Sequence, residues 1–160
     1  MKATFFILFI LVTFGASAQT SNPQPPMYGN PISLEAAKKM MTAAEAFAIS
    51  KQWPVAIAIV DTGGNLVLMQ KLDNTQVASI EIAIGKAKTA NNFKRPTKAM
   101  EDAVAGGGAA LRILAVPGVF PMEGGEPIFS EGKIIGAIGV SGVQSGQDAE
   151  VVKAGLAALK

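Results

Sequence analysis

From Ser33 onward, Leu34, Ala37, Met41, Ala44 and Ala48 fall at steps of three and four, with Glu35 in the first turn. That spacing predicts an amphipathic helix capped by Ser33, ending near Lys51 and stopped by Trp53-Pro54. Val55 to Val60 then reads as a buried strand, Asp61 to Asn65 as a Gly-rich turn and Leu66 to Leu72 as a returning strand, which together make a hairpin. Between Thr75 and Asn91, Val77, Ile80, Ile84 and Ala87 share a helical face, and Lys86 and Lys88 lie in the last turns, where cations suit the helix dipole. After Pro96 the pattern predicts a short helix over Thr97 to Ala105, the run Gly106-Gly107-Gly108, and a further turn through Leu114.

One or two short strands follow around Val119 and from Pro127 to Ser130. Beyond the Glu131-Gly132-Lys133 turn, Ile134, Ile138 and Val140 alternate with Ile135, Ala137 and Ser141, so neither face of that strand is written for water and it belongs in the middle of a sheet. A closing helix over Gln147 to Leu159 puts Val152, Leu156 and Leu159 inside. Helix, hairpin, helices, strands, helix is not the strict alternation of a doubly wound parallel sheet, and the order predicts an α+β fold.

Ahead of this domain, Lys2, the apolar run Phe5 to Phe14 and Ala16-Ser17-Ala18 have the three-part form of a signal peptide over residues 1–18. The expectation is cleavage after Ala18, export to the periplasm or the medium, and no stable membrane insertion afterwards, because no later apolar run is longer. Residues 19–32 hold Pro23, Pro25, Pro26 and Pro31 without apolar periodicity and read as a flexible arm before a single domain over 33–160. Lys2 is the only charge in the leader, so its loss lowers the formal net charge from +2 to +1. With no basic tract, nucleic acid is not an expected partner. The charged fraction is 16% against 49% apolar, which predicts that other subunits or a ligand cover part of the surface; a homo-oligomer is expected.

The chain has no His and no Cys. That removes imidazole-assisted Ser or Cys nucleophiles, the usual zinc sites, disulfides and lipoprotein attachment. Asp61-Thr62-Gly63 has the form of an aspartic protease triplet, with Ile134-Ile135-Gly136 as its apolar brace, but it runs straight into Gly64-Asn65 and a second strand, which reads as a hairpin turn with Asp as its cap. Gly106-Gly107-Gly108 lacks the Lys-Ser/Thr of a phosphate loop and reads as a connection, while Gly124-Gly125 is open to a turn or a binding loop.

Gly124 to Gly142, Val60 to Asn65 and Gln147 to Leu159 resemble the GlcG/HbpS-like family of haem-binding or haem-degrading proteins. The resemblance runs from about Ser33 to Leu159. It implies a profilin-like, antiparallel five-stranded sheet with helices on its faces, haem or a related tetrapyrrole as cofactor or cargo, and a role in haem acquisition, buffering, sensing or degradation; the alternative is a carrier or scaffold for another small molecule, with the glycine loops structural. Two of its motifs are Lys86-Ala87-Lys88-Thr89-Ala90 and the loop Pro121-Met122-Glu123-Gly124-Gly125-Glu126-Pro127. It therefore implies a ligand site built from Lys88, Thr89, Phe93, Arg95, Met122, Gly124 and Gly125, with cations for propionates and Phe93 as a wall. Where relatives use an axial His this chain has none, so Met122, Tyr28, Lys88 or a Thr hydroxyl would have to replace it, or haem would be held without a protein ligand. Glu81 and Glu101-Asp102 are candidate iron contacts or merely solvated helix faces.

Overall fold

The computed structural model describes residues 24–159; the expected signal segment and the start of the Pro-rich arm lie outside the described residues. The chain forms α1 (Leu34–Ser50), β1 (Ala56–Asp61), β2 (Leu66–Lys71), α2 (Ser79–Phe93), α3 (Thr97–Ala105), a 3-10 helix (Gly108–Ala115), β3 (Gly125–Ser130), β4 (Lys133–Ser141) and α4 (Ser145–Ala157). The strands make one antiparallel sheet in the order β2-β1-β4-β3, with β4 central as its two apolar faces predict. Among the described residues the sheet has four strands rather than five. The segment before Pro121, expected to supply a strand near Val119, is spent on the 3-10 helix and the turns after it.

The two faces of the sheet differ in side-chain size, and this fixes where the helices sit. Ile57, Ile59, Ile138 and Val140 project into a core with Met40, Met41 and Ala44 of α1 and Val151 and Val152 of α4. On the opposite face Ala56, Ala58, Val60 and Ala137 meet Ala83, Ala87 and Ala90 of α2. Gly139 carries that contact to its limit: a Cβ there would lie 2.2 Å from the Ala83 carbonyl oxygen and 2.5 Å from the Ala87 nitrogen. Only a glycine lets the helix backbone rest on the strand in this way.

Because the sheet offers α2 a floor of Ala and Gly, the helix buries its small face, Ser79, Ala83, Lys86, Ala87 and Ala90. Of the expected stripe of Val77, Ile80, Ile84 and Ala87, Ala87 is fully buried and Ile84 packs half-buried against the Ala56, Ala58 and Ala83 cluster, Ile80 is half-buried, and Val77, ahead of the helix, is 86% exposed. Ile135 is also displaced from the expected alternation. The β3–β4 register slips between Ile128 and Phe129, and Ile135 packs with the Ile138 and Val140 cluster instead of with Ala137.

Local capping follows the sequence closely. The Ser33 hydroxyl accepts from the Ala36 N–H at 3.1 Å, and Gln144 and Gln147 form a reciprocal capping box at the start of α4. The described end of the Pro-rich arm is docked rather than free: β1 stops pairing at Asp61 opposite Gly136, and the arm takes over the vacated edge of β4. The Gly29 and Ile32 N–H groups donate to the carbonyls of Ile134 and Ile135, both at 2.7 Å, and the Ile134 N–H donates to the Met27 carbonyl. Tyr28 then anchors the arm to α2 through a 2.7 Å hydrogen bond to the Asn91 carbonyl, with the Lys94 ammonium 4.4 Å from its ring centre.

Candidate functional site

The residues singled out in the sequence fall in three places. Phe93 and Arg95, at the α2–α3 junction, line two adjoining clefts. The larger, about 700 Å³, is open and bounded by Pro25, Pro26 and Lys94. The smaller, about 260 Å³, is walled by Ala99, Met100 and Ala103 of α3 and by Ala110, Arg112 and Ile113 of the 3-10 helix. Ala110 and Ile113 share that wall because three residues make one 3-10 turn. Neither lining contains a carboxylate. Arg95 Nε donates to the Phe93 carbonyl at 3.1 Å, which fixes the start of the side chain while the guanidinium end has no salt-bridge partner among the described residues.

Lys88 and Thr89 lie further up α2. Lys88 is exposed and lines neither cleft. Thr89 is buried, and its hydroxyl accepts from the Phe120 N–H at 2.9 Å. The Phe120 ring lies against Gly85, where a Cβ would come 2.2 Å from Phe120 Cδ2. Gly85 and Thr89 thus form the seat that receives the chain after the 3-10 helix.

Gly124 and Gly125 mark the third place. Beneath them Lys86, 2% exposed, donates to the Val140 carbonyl at 3.0 Å and to Asp148 Oδ2 at 2.8 Å. The expectation that Lys86 lies in the last turns of the helix as a cation suited to its dipole is corrected: it stands mid-helix on the buried face of α2, and a charge there needs a partner. Burial pushes the Asp148 carboxyl up, and the Lys86 ammonium with the Val143 and Gly142 N–H groups pulls it back only in part. Gly124 (φ +114°) has no room for a side chain, since a Cβ would lie 2.8 Å from Asp148 Cβ and 3.0 Å from Lys86 Nζ. At Gly125 a Cβ would sit 2.5 Å from the Lys86 carbonyl oxygen, and its N–H donates to the Thr97 hydroxyl at 2.9 Å. The pair is a roof over a buried ion pair that joins α2, β4 and α4. Met122, at the lip of this loop, is 36% exposed, and the next N–H, of Glu123, donates to the Glu101 carboxylate.

The other candidate groups are accounted for locally. Asp61 Oδ1 accepts from the Gly63 and Asn65 N–H groups at 2.8 and 2.9 Å, and the Asn65 amide adds a further bond. Desolvation is the largest single influence and raises its pKa, but the bonds from Asn65 and Gly63 together outweigh it and hold the carboxyl below the ordinary value. A turn cap stabilised as the anion is the opposite of a protease carboxylate made to share a proton, and the protease reading is set aside. Asp102 pairs with Lys98, and among the described residues no three carboxylates gather as a metal site. Of the axial substitutes, Tyr28 and Thr89 already use their hydroxyls on Asn91 and Phe120, whereas Lys88 and Met122 are exposed.

Another cleft, of about 560 Å³, lies between the end of α1 and β2 around Trp53. Glu45 and Asp73 line it with a single cation, Lys71, so its balance is acidic and suits a carboxylate-bearing ligand less than the clefts at Arg95. Sequence reasoning missed Lys86, Thr97, Arg112, Phe120 and Asp148 as parts of these arrangements. For Lys86 the signal was present, since it is spaced with Ala83 and Ala90 on one helical face. Among the described residues, no helix is long and apolar enough to cross a membrane.

Comparison with known proteins agrees with this architecture. The family described as "Haem degrading protein HbpS-like" matches residues 32–157. Protein GlcG of Escherichia coli K12 is 37% identical over 110 residues, covering 69% of this chain and 81% of that protein. The crystal structure of HbpS superposes with a TM-score of 0.75 at 30% identity, covering 91% of this chain and 99% of that one. The crystal structure of a PduOC:heme complex gives a TM-score of 0.75 at 29% identity, covering 80% of this chain and 94% of that one. Together with the antiparallel α+β architecture, these matches place the chain in the GlcG/HbpS-like family.

Proposed function

We propose that this protein binds haem or a related tetrapyrrole at the α2–α3 junction, around Phe93 and Arg95. The observation that carries the reading is the lining of the two adjoining clefts, which combines an aromatic ring, small apolar walls and unpaired cationic groups with no carboxylate. A porphyrin is a flat apolar ring with anionic propionates at one edge, and this is the donor set its edge requires. The haem-bound relative PduOC and the family's haem description support the ligand class. Bound haem would supply iron redox chemistry. The chain would hold the ring, orient its propionates and keep part of it from water. With no His or Cys in the sequence, the iron receives neither imidazole nor thiolate from this protein.

Titration with hemin, followed in the Soret region, tests the proposal. A saturable shift near one equivalent, without the spectrum of bis-imidazole iron, is the expected result; an unchanged spectrum at stoichiometric hemin refutes it. Arg95→Glu should weaken binding more than Lys88→Glu, because only Arg95 lines the clefts. Haem degradation is the second reading, favoured by the family description. Release of iron or of a biliverdin-like product from bound hemin under reductant and oxygen separates it from binding alone. The acquisition, buffering or sensing role fits an exported homo-oligomer. Export rests on the leader pattern of residues 1–18, and assembly on the apolar-rich composition.

A further inference from the structure

We infer that Arg112, on the 3-10 helix, is a second carboxylate-binding residue that completes a clamp with Arg95 across the smaller cleft. The inference rests on the tetrapyrrole reading and assigns its acidic edge to this end of the site. Arg95 and Arg112 line one small cavity from two different elements, the α2–α3 connection and the 3-10 helix. Two like charges in one pocket of about 260 Å³ repel unless an anion lies between them, and the lining offers none. The carboxylates of α3 are engaged elsewhere, Asp102 with Lys98 and Glu101 with the Glu123 N–H. Neither guanidinium has a salt-bridge partner among the described residues.

The remaining walls, Phe93, Met100 and Ile113, are apolar. A hydrated inorganic anion gains nothing from such walls, whereas a carboxylate attached to an apolar body uses both parts of the pocket. The cavity is too small for a whole macrocycle but adjoins the open cleft through Phe93, Arg95 and Ala99, so a ring can lie in the larger space with its acidic edge in the smaller.

The segment carrying Arg112 can adjust to such a ligand. None of the eight residues of the 3-10 helix is buried, and Gly107 ahead of it and Gly108 at its start have φ of +72° and +61°, with nothing within 4 Å of where a Cβ would lie. Its downstream end is held where Phe120 meets Gly85 and Thr89. The segment therefore presents a cation on a surface with little packing to lose.

The test compares iron-free protoporphyrin IX with its dimethyl ester, each titrated by fluorescence into wild type, Arg112→Gln, Arg95→Gln and Arg112→Lys. Wild type should prefer the diacid by about tenfold or more, the loss expected for a charge-assisted contact at a partly exposed site. Arg112→Gln and Arg95→Gln should each remove most of that preference with ester binding unchanged, and Arg112→Lys should keep part of it. Arg112 is exposed, so thermal melts of the Gln variant should match wild type and exclude unfolding as the cause. If wild type binds acid and ester alike, or Arg112→Gln leaves the preference intact, the clamp is wrong while the tetrapyrrole reading survives. If neither porphyrin nor hemin binds, both are wrong.

Discussion

Two glycine runs, one at the start of the 3-10 helix and one beyond its end, do opposite things. Gly124 and Gly125 are buried, and a methyl group on either would meet Lys86, Thr97 or Asp148 at 3.0 Å or less. Gly107 and Gly108 have nothing within 4 Å of a Cβ position. In sequence the first pair has the look of a ligand loop and the second of a mere connection. The packing gives each a structural account: the closed pair covers an ion pair 2% exposed on both sides, and the open pair leads to a cation that lines a cleft. A glycine motif can mark close packing as readily as a binding loop, and the space around each Cβ position distinguishes the two.

The largest effect should come from breaking the closed side. Lys86→Met leaves Asp148 buried without its ammonium and should cost about 3–5 kcal/mol of unfolding free energy, measured by urea denaturation. Replacing both partners together with apolar residues should recover much of that loss, since it removes both desolvation penalties. Gly125→Ala comes next. The Lys86 carbonyl at 2.5 Å is backbone and must move, so a loss of about 1–3 kcal/mol is expected, with hemin affinity following stability rather than changing in the folded fraction.

The open side should respond in the reverse manner. Gly107→Ala meets no neighbouring side chain or backbone but must hold a φ of +72° and ψ of −154°, which glycine alone adopts freely, at a cost of about 1–3 kcal/mol. If the 3-10 helix carries part of the site, hemin affinity should change in this variant by more than the melting temperature implies.

The smallest effect concerns the third glycine turn, Gly63-Gly64, capped by Asp61. Its carboxyl is held below the ordinary value in the folded state, so its contribution is present above the unfolded pKa and is lost as pH falls through the folded one. Wild type should therefore lose its advantage over Asp61→Asn from about pH 4 downward. An advantage that grows with acid would mean that Asp61 is not the anionic cap described.

Periodicity located the helices and strands because their apolar positions answer to large neighbours, as Met41 and Ala44 do in the core that contains Ile57 and Ile138. It held only in part on α2. There the sheet presents Ala58, Ala137 and Gly139, the helix buries Ala83 and Ala87 with a paired lysine, and the isoleucines that dominate the pattern are only half-buried, Ile84 packing at the margin of the Ala83 cluster. The docked arm was hidden for a related reason: residues 27–32 attach through backbone hydrogen bonds to Ile134 and Ile135, which leave little mark in side-chain pattern. Phe93 and Arg95 entered as candidates through the family resemblance, since by pattern alone they read as a core ring and a solvated helix end. Arg112 did not, because only the fold brings the 3-10 helix opposite them.

Hydrogen exchange of the protein with and without one equivalent of hemin tests the division between the two glycine regions most directly. The account predicts slowed exchange at the end of α2, through α3 and over residues 106–116, with the Gly125 amide, already bonded to Thr97, unchanged. Slowed exchange confined to residues 121–127, or to the cleft around Trp53, would contradict it.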